Sequence, residues 1–145
     1  MKQLPMVWQR LVTPDGATCE RCGGTYESLQ KALAKLKPAL LPLGVEPVLD
    51  IRQLDVDAFR TAPTESNRIW IGGKPLEAWL GATSNQSVCC DACEGQECRT
   101  VELNGQSFET IPEELVIQAA MLAAAQMLAP AASPCCAPAK GSCCG

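Results

Sequence analysis

Near its start the chain sets a Cys-x-x-Cys between an extended run and a helical run, with a second extended run after them, and few folds accommodate that order. MVWQRLV (6–12) alternates residues of β-favouring type and reads as a strand. TPDGATCERCGG is a loop by composition. From Thr25 to Lys37, Tyr26, Leu29, Leu33 and Leu36 recur at helical spacing, which predicts an amphipathic helix stopped near Pro38. GVEPVLDIRQL supplies a second strand through Val45, Val48, Leu49, Ile51 and Leu54, with Pro47 setting its start at or after that residue. Two such strands joined through a helix are expected to be parallel, with a right-handed crossover.

The remainder of the chain extends this order. NRIWIGGKPLEAWL reads as a short strand, a Gly72-Gly73 turn and a brief return. In TVELNGQSFETI, Asn104-Gly105 between extended runs predicts a hairpin. Pro112 suits the first position of a helix running to Leu128, with Glu113 and Glu114 at its positive end. The apolar stretch Leu115–Ala129 is too short to span a bilayer and carries Gln118 and Gln126, so it predicts a buried helix and no membrane span. At 145 residues the chain accommodates one domain with a real core. The element order is that of an α/β, thioredoxin-like domain, a small mixed sheet flanked by helices. It would occupy residues 1–129, with a cysteine-rich insert over about 84–99 and a flexible cysteine-pair tail over 130–145.

Ten cysteines and no histidine restrict the chemistry to thiols and carboxylates. A net charge of −4 without any basic run argues against nucleic acid as a partner. Gln9 and Arg10 break the apolar run a signal peptide would need, which points to the cytoplasm. There thiols stay reduced and serve as ligands or redox groups more often than as staples.

The cysteines fall into three groups. Cys19 and Cys22, in CERC, stand where a strand meets a helix. A helix start favours thiolate over thiol, and the spacing lets both sulfurs reach one disulfide or one metal ion. If the pair is redox-active, Cys19 is the nucleophile and Cys22 resolves it. Pro63 stands five residues before RIWI, too early for the proline that an ordinary oxidoreductase of this type places directly before that strand. Cys89, Cys90, Cys93 and Cys98 could supply a tetrahedral thiolate site, and a structural zinc is the plain reading of that group. Cys135-Cys136 and Cys143-Cys144 form the third group. Neighbouring Cα atoms lie about 3.8 Å apart, short of the roughly 4.4–6.8 Å a disulfide prefers, so each pair resists closing on itself. Such a dithiol suits a soft ion.

Two resemblances follow from these motifs. CERCGGTYESLQKAL, SNRIWIGGKPLEAWLGA and CCDACEGQECRTVELNGQSFETIPEELVIQAA make residues from about Met6 to Leu128 similar to an uncharacterised bacterial family of thioredoxin-like domains. The closing vicinal pairs resemble those of the arsenite metallochaperones, which hand As(III) to an efflux ATPase. The resemblance implies a cytoplasmic protein that binds soft metal(loid) ions, As(III) or Hg(II), for resistance, as metallochaperone or sequestering protein. All ten cysteines would be ligands, and an efflux transporter or ATPase, or a metal-handling reductase, would be the partner. The alternative, ranked second, is an enzyme, a thiol–disulfide oxidoreductase acting through CERC. A third reading is an adaptor that docks through the acidic run Asp91–Glu114, seven carboxylates against Arg99 alone.

Overall fold

The structure, a computed structural model, describes residues 1–12, 20–62, 65–88 and 97–129. Strand β1 (Lys2–Leu11) buries Leu4, Met6 and Trp8 at alternate positions, with Leu11 also buried at its end. It runs parallel to β2 (Val45–Leu54), in register from Lys2 opposite Val45 to Leu11 opposite Leu54. Pro47 lies inside β2 rather than at its start. The strand order β2-β1-β3-β4 makes β2 an edge, where a missing ladder N–H is tolerated.

Helix α1 spans Glu20–Leu40, well beyond the predicted Thr25–Lys37 at both ends. Its buried stripe explains the difference. Cys22, Thr25, Leu29, Ala32, Leu36 and Leu40 are all buried, and their three-and-four spacing starts at Cys22 and ends at Leu40. Packing of that stripe outweighs the helix cost of Gly23, Gly24 and Pro38, about 1 kcal/mol for each glycine.

Strand β3 (Arg68–Ile71) is antiparallel to β1, with Met6 opposite Ile71 and Gln9 opposite Arg68. A Gly72-Gly73 turn leads to β4 (Lys74–Pro75), the predicted brief return. Two short helices escape the sequence reading. Helix α2 (Val56–Thr61) is capped by Asp55, whose Oδ1 accepts from the Ala58 N–H at 2.7 Å, and α3 (Leu76–Leu80) ends at Gly81. A second sheet holds β5 (Thr83–Val88), β6 (Glu97–Leu103) and β7 (Gln106–Phe108), all antiparallel. The predicted Asn104-Gly105 hairpin joins β6 to β7, and both residues have positive φ, 53° and 77°. Helix α4 (Glu113–Leu128) closes the described part, with Pro112 as its N-cap rather than its first residue.

The ends of the expected cysteine-rich insert are therefore paired strand, with Ser87 opposite Cys98 and Val88 opposite Glu97. Residues 89–96 and 130–145 lie outside the described residues. The architecture is a mixed α/β fold in which helices flank a small sheet. One core joins the inward residues of β1 and β3 to the buried stripes of α1 and α4. No helix among the described residues is long and apolar enough to cross a membrane.

Candidate functional site at the start of helix α1

A helix start gathers backbone N–H groups that have no partner within the helix, and with them a partial positive charge. Cys22 is the third residue of α1, and it belongs to the core with only 1% of its surface exposed. Cys19 lies outside the described residues.

A closed series of contacts holds this helix start in place. One turn beyond Cys22, Tyr26 stacks on Trp8 of β1, ring centroids 5.5 Å apart and planes 25° from parallel. The buried Trp8 donates from Nε1 to Asn67 Oδ1 at 3.1 Å. Asn67 directly precedes β3, is itself buried, and donates from Nδ2 to the Glu109 carbonyl at 3.4 Å. Two residues on, the Ile111 N–H donates to Oγ1 of the buried Thr25 at 3.2 Å, which returns the series to α1. Asn67 holds φ at 54°, a left-handed value that asparagine tolerates better than most residues.

Glycine is required at one of the two positions after Cys22. A Cβ on Gly24 would stand 2.8 Å from Thr110 Cγ2, whereas one on Gly23 would meet nothing within 4 Å. Both residues are helical, so alanine favours each by about 0.5–1 kcal/mol in helix propensity alone. Gly23→Ala is therefore expected to stabilise the protein by about that amount. Gly24→Ala is expected to destabilise it by about 1–2 kcal/mol, because overpacking outweighs the propensity gain. Thr110→Ser, which removes the offending methyl, should relieve most of that loss. Urea unfolding of the four proteins measures all three statements.

The other expected site residues are placed as follows. Cys89, Cys90, Cys93, Cys135, Cys136, Cys143 and Cys144 lie outside the described residues, and Cys98 stands opposite Ser87 in the β5–β6 ladder. The expected metal is corrected. Among the described residues no group of three or more Cys, Asp or Glu side chains converges to hold an ion. A bound As(III) or Hg(II) ion and the expected structural zinc thus have no ligand set among the described residues, and Cys89, Cys90 and Cys93 of the 89–98 cluster lie outside them. The physical reason is visible at Cys22, which the core encloses. Elsewhere in the fold Glu77 and Glu113 are engaged with cations, Arg99 and Lys35.

Sequence reasoning missed Trp8, Asn67 and Thr25 as parts of this site. Trp8 was legible as a core residue of a strand, but its indole N–H needed a partner once buried, and that need was a usable signal. Asn67 stands where a proline was sought, and Pro63 lies outside the described residues. An asparagine directly before a strand, able to adopt a left-handed backbone, could have been flagged as the residue that turns the chain there.

No solved structure matches the chain. A protein of Archaeoglobus fulgidus described as an uncharacterized protein is 43% identical over 114 residues, which cover 79% of this chain and 82% of that one. The family described as a domain of unknown function, DUF2703, matches residues 4–120, from the first buried residue of β1 into α4; the chain belongs to that family.

Proposed function

We propose that the protein is a thioredoxin-like thiol–disulfide exchanger that works through Cys19 and Cys22. The observation that carries this reading is the position of Cys22, buried in the core as the third residue of α1 and three positions after Cys19 in the sequence. A buried second thiol is protected from outside electrophiles and is poised to attack a sulfur held at the helix start. The strand order β2-β1-β3-β4, with β1 and β2 parallel and the other pairings antiparallel, supports a thioredoxin-like assignment.

In this mechanism the Cys19 thiolate attacks one sulfur of a substrate disulfide and releases the other as a thiolate. The resulting mixed disulfide is attacked at the Cys19 sulfur by the Cys22 thiolate. A Cys19–Cys22 disulfide forms, the second substrate sulfur leaves as a thiolate, and the substrate has gained two electrons. Two protons from solvent convert its thiolates to thiols, and an external dithiol returns the protein to its reduced form. The helix start assists by stabilising each thiolate that forms beside it.

The test is reduction of a protein disulfide substrate by the full-length chain, with dithiothreitol as the electron source. Cys19→Ser is expected to lower the rate to the uncatalysed background. Cys22→Ser is expected to accumulate the mixed disulfide, visible as a mass adduct. An unchanged rate in Cys19→Ser, or no rate above background in the unaltered protein, overturns the reading.

A further inference from the structure

Helix α4 carries no charge from Leu115 to Ala129, and it is apolar on both sides. Its inner face packs into the core through Leu115, Val116, Ala119, Ala120, Ala123 and Ala124. Its outer face exposes Met121 and Leu122, at 42% and 48%. Met121 and Leu122 adjoin each other, so the outer face of α4 carries an uncharged, partly apolar strip that a partner can cover.

The pattern of the face says what covers it. Gln118, Leu122 and Gln126 are all exposed and form a single ridge at intervals of four, with Leu122 at its midpoint. Such a ridge is self-complementary. A two-fold axis through Leu122 sets Leu122 on its own counterpart and Gln118 on the second copy's Gln126, where the amides can bond to each other. The small Ala125 beside the ridge leaves the groove that a facing leucine needs. Charge favours the same occupant. An uncharged stripe on a chain of net charge −4 accepts an equally uncharged stripe without stranding an ion. A lipid surface is disfavoured, because α4 has no Lys or Arg and begins with Glu113 and Glu114. An antiparallel arrangement also keeps the two copies of Glu114 apart and opposes the helix dipoles.

We propose that the outer face of α4 is a homodimer interface, with two copies packed antiparallel about Leu122. This pairing stands independently of the thiol chemistry, and it is read out without it. Sedimentation equilibrium of the reduced full-length protein should show a monomer–dimer equilibrium over roughly a hundredfold range of concentration. Leu122→Glu is expected to weaken the dimer at least about a hundredfold, because it places two carboxylates on the axis. Its circular-dichroism melt at a concentration where both proteins are monomeric should match the unaltered protein, since Leu122 points away from the core. Gln118→Glu with Gln126→Lys is expected to remain dimeric, each glutamate facing a lysine, whereas Gln118→Glu with Gln126→Glu is expected to dissociate. A protein that is monomeric throughout the range, or a dimer indifferent to Leu122→Glu, overturns the proposal. Dissociation of the Glu/Lys pair of substitutions overturns the antiparallel register.

Discussion

Arg99→Met is expected to cost the folded protein about 3–5 kcal/mol, the usual consequence of removing one partner from a buried ion pair. Arg99 on β6 donates from Nη2 to Glu77 Oε2 on α3 at 2.9 Å, and the two side chains are only 6% and 9% exposed. The second carboxylate oxygen, Oε1, is buried with no hydrogen-bond partner of its own. Removing the guanidinium therefore leaves a carboxylate out of water and without compensation. Replacing both groups should behave differently. Glu77→Leu with Arg99→Met leaves no buried charge, and an apolar pair of similar volume commonly matches or exceeds the ion pair in stability. The double substitution is thus expected to recover most of the single loss, as read from urea midpoints at neutral pH. A single loss below about 1 kcal/mol would mean that water reaches the pair in solution.

That pair also shows why β5 and its pairing with β6 were not legible in the sequence. Glu77 and Arg99 lie in stretches read as a brief return and as an acidic surface run, and neither reading signals a buried charge. Asp91–Glu114 was taken as seven carboxylates set against a single arginine, yet that arginine points inward and binds a carboxylate from outside the run. Charge counted along the chain carries no information about which side of a strand it occupies. The hairpin at Asn104-Gly105 was legible because its turn has a local requirement, two positive φ values, which those residues satisfy without help from the rest of the molecule.

Helix α1 makes the same point about boundaries. Gly23, Gly24 and Pro38 are local signals against helix, and they set the predicted limits. The structure overrides them because Cys22 and Leu40 continue the buried stripe, so tertiary packing decides where the helix runs. Counting Cys22 as an apolar residue would have extended the period back to the CERC motif. It would also have marked Cys22 as an inward-facing residue. The family match over residues 4–120 spans both of them and Cys89 to Cys98, while Cys135, Cys136, Cys143 and Cys144 fall beyond it. The expectations built on those last four rest on the sequence of this chain alone.

Asn67→Ala is expected to destabilise the protein by about 2–5 kcal/mol, the sum of two separable losses. One is backbone strain. At φ 54° alanine is disfavoured, by about 1–2 kcal/mol, where asparagine is tolerated. The other is the Trp8 indole N–H, buried and deprived of its acceptor, at about 1–3 kcal/mol. Asn67→Gly separates them, because glycine accepts the left-handed backbone and removes only the side-chain bonds. It should therefore lie between the unaltered protein and Asn67→Ala in its urea midpoint. Under the exchange mechanism proposed above, both substitutions should also slow disulfide reduction beyond what the fraction unfolded explains, since Asn67 ties Trp8 to Glu109 beside the first turns of α1. Equal midpoints for the glycine and alanine variants would show that the left-handed backbone adds nothing. Rates that track the folded fraction alone would show that the series of contacts stabilises the fold without positioning the thiol.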